Sequence, residues 1–216
     1  MNNMNIESQE IIRSFSVLKQ MLVDRKIEIP FLESYSEEEL YAIIMQYREK
    51  ATGSNIFQIK ATENMSIIYH MKPKFIKSEL KKFLQTMEYN LAPPSEDEKV
   101  KDKKHHIIFI FKDKINNNNE KNIRPLIENH TYEIFPIKQL LFNITKHSFV
   151  PKHELMSKLE MEDIQNKFSI KNKSQFPVIL KTDPVARYYA MKPGDFVKIT
   201  RSSTSTGEHI TYRYCV

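Results

Sequence analysis

Asp183-Pro184-Val185-Ala186-Arg187-Tyr188-Tyr189 runs straight into Ala190-Met191-Lys192-Pro193-Gly194-Asp195-Phe196-Val197-Lys198-Ile199-Thr200-Arg201, and this stretch decides the fold of the end of the chain. Asp183 has a carboxylate that can accept from the free amides of a short helix, and Pro184 fits the first helical position, where no N–H is needed. Pro193-Gly194 predicts a type II turn, with proline fixing φ and glycine supplying the positive φ that follows. A strand comes next, with Phe196, Lys198 and Thr200 on one side and Val197, Ile199 and Arg201 on the other. Ile210, Tyr212, Tyr214 and Val216 likewise alternate with Thr211, Arg213 and Cys215, and the Ser/Thr-rich segment 202–208 suits a hairpin loop between the two strands. A last strand ending on an apolar residue is expected to be pinned in a sheet or in a partner's surface, because loose ends fray.

Upstream, residues from about Glu7 to Lys26 have the spacing of an amphipathic helix, with Ile11, Ile12, Phe15, Leu18 and Leu22 on its apolar face. Ser36 with Glu39 predicts a capping box for a second helix carrying Leu40, Ile43, Ile44 and Tyr47. Gly53-Ser54-Asn55 breaks the chain ahead of strands at Ile56 to Lys60 and Ser66 to Met71. A helix is expected over Phe75 to Tyr89, ended by Pro93-Pro94 and followed by a charged loop, Ser95 to Lys104. His106-Ile107-Ile108-Phe109-Ile110-Phe111 is apolar almost throughout and so reads as a central strand buried on both faces. Asn116 to Asn119 reads as a loop, Glu120 to Asn129 as a short helix and Thr131 to Phe135 as a strand. The segment 143–152 has little periodicity and marks a boundary, after which Ser157 with Glu160 caps a helix to about Phe168, its apolar face Leu159, Ile164 and Phe168. Strand–helix–strand alternation predicts an α/β fold: a mixed-sheet domain with helices at 1–142, and a small α+β domain at 143–216. A core of that second size is marginal alone, so docking on a larger partner would stabilise it.

The 216 residues include 40% hydrophobic side chains, enough for packed cores, and no apolar run reaches the length of a membrane span. One cysteine, Cys215, excludes an internal disulfide and any multi-thiol zinc site, which fits a reducing compartment; the residues before Glu7 lack signal-peptide features. A formal charge of +6 leans toward phosphate-rich surroundings. Lys72, Lys74, Lys77, Lys81 and Lys82 form the densest basic cluster, and helical spacing is expected to spread it over more than one face. With three glycines, at 53, 194 and 207, no phosphate-cradling loop can form. His105 and His106 are adjacent in a strand and face opposite sides, while His147 and His153 flank Pro151, which suits a structural role better than a metal site. The acid-x-Lys triplets Glu79-Leu80-Lys81, Asp97-Glu98-Lys99 and Asp102-Lys103-Lys104 are common in so charged a chain, and the apolar strand beside them lacks the second carboxylate of a two-metal nuclease. Cys215 is expected to be packed rather than reactive.

The run from Asp183 resembles the C-terminal assembly domain of the fifth subunit shared by the eukaryotic nuclear RNA polymerases, and is similar over the same stretch to the archaeal polymerase's counterpart of that domain. Agreement with that pattern falls on Asp183, Pro184, Ala186, Arg187, Tyr188, Gly194, Val197, Lys198, Ile199, Arg201, Ser203, Thr206, Gly207, Thr211, Tyr212, Arg213 and Val216. Asn143-Ile144-Thr145-Lys146-His147 and Val150-Pro151-Lys152-His153 are similar to the family's junction between domains, and Val17 to Arg25 is similar to the end of its first helix. Four positions depart. Lys26-Ile27 replace a Gly-Tyr pair, Ala190 replaces a glycine, Ser202 replaces a proline, and the segment 112–116 lacks a Thr-Pro loop. The departures are those of a divergent member, expected to come from a large DNA virus.

The resemblance implies a non-catalytic structural and assembly subunit of a multisubunit DNA-dependent RNA polymerase, without cofactor, metal, membrane or small-molecule ligand. It implies that residues 143–216 anchor on the largest subunit through Asp183, Pro184, Arg187, Tyr188, Lys198, Arg201, Thr211, Tyr212 and Arg213. Arginine and tyrosine suit that role because both are enriched at interfaces. Residues 1–142 would form a jaw beside downstream double-stranded DNA, contacted weakly and without sequence preference, with Lys112 and Lys114 nearest to it. The implied location is the nucleus for a eukaryotic member, or the virion and infected-cell cytoplasm for a viral one. The alternative is a free-standing basic nucleic-acid-binding transcription accessory factor, distinguished by running alone in a lysate.

Overall fold

Helices and strands alternate along the chain as its apolar periodicity requires. In order they are α1 (Ile6–Asp24), α2 (Pro30–Glu33), α3 (Glu37–Lys50), β1 (Ile56–Thr62), β2 (Met65–His70), α4 (Lys77–Thr86), β3 (His106–Phe111), α5 (Asn117–Ile123) and β4 (Thr131–Pro136). There follow β5 (Lys152–Leu155), α6 (Lys158–Lys167), β6 (Val178–Ile179), α7 (Pro184–Tyr188), β7 (Phe196–Ser203) and β8 (Gly207–Cys215). The computed structural model describes residues 6–33, 35–50, 56–86, 105–127, 130–203 and 207–216. The break at Gly53 to Asn55, the Pro93-Pro94 stop, the loop 95–104 with its two acid-x-Lys triplets, and Thr204 to Thr206 lie outside those residues. The chain divides into two units: Met1–Leu22 with Ile27–Phe142, and Val23–Lys26 with Asn143–Val216.

The first unit is built on a mixed sheet in the order β1-β2-β3-β4, antiparallel at β1/β2 and parallel at β2/β3 and β3/β4. β3 is internal, and its residues 107–111 are all buried, which explains its unbroken apolar run. One sheet face meets α4 and α5: Ile68, Ile107, Phe109 and Phe111 pack with Leu80, Leu84 and Ile123. On the other, Tyr69 stacks on Phe57 at 4.8 Å, and its hydroxyl lies 3.1 Å from Ser14 Oγ of α1. Burial of that hydroxyl pushes the Tyr69 pKa well above its usual value. The Ser36 capping box is present, with Ser36 N–H donating to Glu39 at 2.8 Å and Glu39 N–H to Ser36 Oγ at 3.1 Å.

Two expectations are corrected in this unit. Asn116 to Asn119 is not a loop: Asn116 Oδ1 accepts from Asn119 N–H at 2.9 Å and so starts α5 three residues before Glu120. The described part of the helix expected over Phe75 to Tyr89 begins at Lys77. Of the five clustered lysines, Lys77, Lys81 and Lys82 are exposed along α4, Lys74 is exposed ahead of it, and Lys72 is half-buried and pairs with Glu79 at 2.8 Å.

The second unit is a sheet in the order β5-β7-β8-β6, with β8 antiparallel to β7 and parallel to β6. The periodicity gives no sign of β5 and β6; with four and two residues, they are too short to show an alternation. Val216 is held on β6, its N–H donating to Ile179 O at 3.0 Å and its own O accepting from Lys181 N–H at 2.9 Å. The turn at Pro193-Gly194 has the type II form, with Gly194 at φ +107 and Asp195 N–H donating to Lys192 O at 3.0 Å. Ala186, Met191, Val197, Ile199 and Cys215 form the core between α7 and the sheet. Cys215 is fully buried, and that burial raises its thiol pKa, with the Asp195 carboxylate adding to the effect. α6 has its Ser157–Glu160 capping box but buries no residue, so the expected packing of Leu159 and Phe168 is overturned: both are exposed.

The histidines of the first unit sit at the two ends of its sheet. His70, at the end of β2, is fully buried between Phe75 and Phe111, and neither ring nitrogen has a hydrogen-bond partner. Burial lowers its pKa, and it does the same for His130; burial, with His130 and His106 nearby, pushes His105 down to about 4. The folded unit therefore binds fewer protons than the unfolded chain below the ordinary histidine value of 6.5. Its stability is complete above that pH and falls as the medium is acidified toward about 4. Urea midpoints measured at pH 7.5, 5.5 and 4.5 should decline in that order, and His70→Leu should flatten the first step.

Candidate functional site

α7 is a helix of five residues, too short to be stable without help at both ends. At its start Asp183 accepts from Val185 N–H at 2.8 Å, and Pro184 takes the first position, as the sequence predicts. At its end the orphan carbonyls meet a cation from far away in the chain. Arg25 Nε donates to Tyr188 O at 2.7 Å and its Nη2 to Arg187 O at 2.8 Å. Beside it the Tyr188 hydroxyl donates to Asp24 Oδ2 at 2.6 Å and accepts from Asn143 Nδ2 at 3.0 Å. Burial, then the Asp24 carboxylate, raises the Tyr188 pKa well above its usual value. Asp24 and Arg25 are thus structural members of the second unit. Nothing in the sequence around them marks this role, because no local signal ties the end of one helix to another so distant.

The sheet register sorts the expected interface residues onto two faces. Val197 pairs with Arg213, Ile199 with Thr211 and Arg201 with His209, and these residues share the face that α7 partly covers. His153 of β5 pairs with Ile199 on that face, where Asp183, Arg213 and Arg201 act on its charge. Burial lowers the His153 pKa, and its Nδ1 lies 2.7 Å from Pro151 O. Phe196 pairs with Tyr214 and Lys198 with Tyr212 on the opposite face. Phe168 reaches Tyr212 there at 6.4 Å between ring centres, and Phe176 meets Phe196 at 5.0 Å. Of the expected set, Tyr188 is spent on the Asp24 and Asn143 contacts and is only 4% exposed, while Pro184 and Arg201 are exposed.

The two lysines expected nearest DNA are unlike each other. Lys112 is half-buried, and its ammonium pairs with Glu7 at 3.0 Å. Lys114 is exposed, beside a shallow hollow of about 500 Å³ lined also by Ile115, Asn116, Asn117 and Asn118. Among the described residues no three His, Cys, Asp or Glu side chains converge as a metal site would need. No described helix is long and apolar enough to cross a membrane.

Two residues adopt left-handed backbone where the related pattern has glycine: Lys26 at φ 59, after α1, and Ala190 at φ 51, after α7. Each closes a helix end. Lys26 N–H donates to Val23 O and Ile27 N–H to Leu22 O, while Ala190 N–H donates to Arg187 O and Met191 N–H to Ala186 O. A side chain there is strained. Lys26→Gly and Ala190→Gly should each stabilise the protein by about 0.5–1 kcal/mol, raising the melting temperature by roughly 2–4 °C per kcal/mol gained. Arg25→Ala should cost about 1–3 kcal/mol in urea unfolding, and Arg25→Lys should recover little because one ammonium cannot reproduce the two-pronged contact.

Comparison with known proteins is in keeping with this architecture. Residues 142–215 match the family described as RNA polymerase Rpb5, C-terminal domain. Over 199 residues the chain is 32% identical to the DNA-directed RNA polymerases I, II, and III subunit rpabc1 of Dictyostelium discoideum, covering 91% of this chain and 92% of that protein. It is 38% identical over 109 residues to the DNA-directed RNA polymerase V subunit 5C of Arabidopsis thaliana, or 50% of this chain and 46% of that one. With the DNA-directed RNA polymerases IV and V subunit 5B of the same plant it shares 40% over 84 residues, or 39% and 38% of the two chains. The likeness to the first relative spans nearly all of both proteins, and the chain therefore belongs to the Rpb5 family of DNA-directed RNA polymerase subunits.

Proposed function

We propose that the chain is a structural and assembly component of a multisubunit DNA-dependent RNA polymerase, anchored on the largest subunit through residues 143–216. The observation that carries this reading is the 32% identity to a shared polymerase subunit over 91% of the chain. The second unit supports it physically. Its sheet has one face partly covered by a single short helix and leaves Val178, Leu180 and Ile210 exposed on the other, an arrangement stabilised when a larger protein covers the rest. Asp183, Pro184, Arg187, Tyr188, Lys198, Arg201, Thr211, Tyr212 and Arg213 belong to or support the anchoring surface, Tyr188 by holding α7 in place. Residues 1–142 form the jaw, lying near downstream duplex DNA. The exposed Lys77, Lys81, Lys82 and Lys114 supply positive charge suited to phosphates. The chain carries out no reaction itself, and its location is that of its polymerase: the nucleus for a eukaryotic enzyme, the virion and infected-cell cytoplasm for a viral one.

Expressed with an affinity tag in its native cell, the chain should elute with the polymerase and bring down its largest subunit. The triple variant Lys198→Glu, Tyr212→Ala, Arg213→Glu, which alters both sheet faces, should reduce that recovery at least tenfold. Undiminished recovery refutes the anchor; a wild-type chain eluting alone and binding DNA favours a free accessory factor.

A further inference from the structure

β2 ends on an imidazole that the fold encloses without giving it a partner. His70 has no exposed surface, and neither Nδ1 nor Nε2 finds a hydrogen bond. Its ring centre lies 5.1 Å from that of Phe111, at the end of β3, and 6.1 Å from that of Phe75, which meets Phe111 edge-on at 6.0 Å. Protein interiors satisfy nearly all such polar groups, so a ring with both nitrogens orphaned calls for a reason.

What encloses the ring is held lightly. Phe75 belongs to the strap 71–76 between β2 and α4, in which Met71 is buried while Pro73, Lys74 and Ile76 are exposed. Among the described residues, no main-chain group from Met71 to Phe75 bonds to another main-chain group. One ion pair fastens the strap instead, Lys72 Nζ to Glu79 Oε2 at 2.8 Å, tying it to the first turn of α4. α4 itself rests on the sheet through the fully buried Leu80 and Leu84 and the half-buried Phe83. Segments with few buried side chains and few main-chain bonds open ahead of the rest of a fold.

We infer that His70 is the latch of an acid-released strap: the neutral ring lets Phe75 and α4 close over it, and a proton on the ring is accommodated only when residues 71–86 lift from the sheet. Burial is the main force against the charged ring in the closed state. The His70 backbone and the Glu79 carboxylate of α4 favour the charge, and Lys72 of the strap opposes it. Ile56 of β1 and Phe111 of β3, which flank it, carry no charge. The closed ring therefore takes its proton below the ordinary value of 6.5, the open ring takes it at that value, and opening grows easier as pH falls through 6.5. His105 and His130 stand at the other end of the strands and enter only when β3 and β4 part. Acid thus frees the helix that carries Lys77, Lys81 and Lys82 while the sheet stays paired.

The test is amide hydrogen exchange of the full-length chain at pH 7.5 and 5.5, corrected for the intrinsic effect of pH, beside an NMR titration of the His70 ring. Amides of Leu80, Phe83 and Leu84 should be less protected than those of Ile108 and Phe109 at both pH values. Their opening should increase about tenfold at the lower pH, the amount expected for one proton taken up at 6.5. His70→Leu should abolish that increase, and Glu79→Gln, which unfastens the strap, should raise the opening of the same amides at both pH values. Equal protection of α4 and β3, an α4 indifferent to pH, or a tenfold increase that survives in His70→Leu overturns the latch. Should that variant not fold, the ring titration decides: a ring protonated at pH 5.5 beneath a closed α4 overturns the latch, and a ring that stays neutral there supports it.

Discussion

A single short helix has to cover a four-stranded sheet, and most of the second unit follows from that imbalance. α7 brings Ala186 and, just beyond it, Met191 against Val197, Ile199 and Cys215, which uses up the apolar side chains on one face. Register does the rest. Because β7 and β8 pair as Phe196 with Tyr214 and Val197 with Arg213, placing Val197 in the core obliges the tyrosines to point the other way. On that side the Phe168 ring at the end of α6 approaches Tyr212 at 6.4 Å, and Phe176 meets Phe196 at 5.0 Å. The half-buried tyrosines and the small core are therefore two results of one pairing.

α7 in turn depends on groups supplied at its ends. A five-residue helix gains little from its own hydrogen bonds, so the Asp183 cap and the Arg25 guanidinium carry unusual weight. Just after Arg25 the chain closes the end of α1 at Lys26, in a conformation that suits glycine better than lysine. The same compromise recurs at Ala190. At both positions a side chain stands in left-handed backbone, and the cost falls in local strain.

Features that rest on neighbouring residues were legible in the sequence. The caps at Ser36, Ser157 and Asp183 and the Pro193-Gly194 turn each need only a few positions, and they stand where they were expected. The unbroken apolar run at Ile107 to Phe111 likewise announced an internal strand. Features that depend on distant partners were not legible. β5 and β6 exist because β7 and β8 are there to pair with them, and Asp24 looks like any exposed helix-end carboxylate until Tyr188 is beside it. Asn116 misled in the other direction, since an asparagine-rich stretch resembles a loop yet its first member is a good helix cap. The residues expected at an interface were chosen by type, and their division between two sheet faces required the register.

Val23–Lys26 group with the second unit although they interrupt the first, so the polypeptide passes from one unit to the other three times. A protease cutting once in the linker after Phe142 would therefore not set the second unit free. The larger fragment would still own Asp24 and Arg25, and the smaller would still own the tyrosine and carbonyls that hold them. Nicked material would travel as one particle under native conditions and come apart only in denaturant. Chain continuity and structural independence are thus separate properties in this molecule.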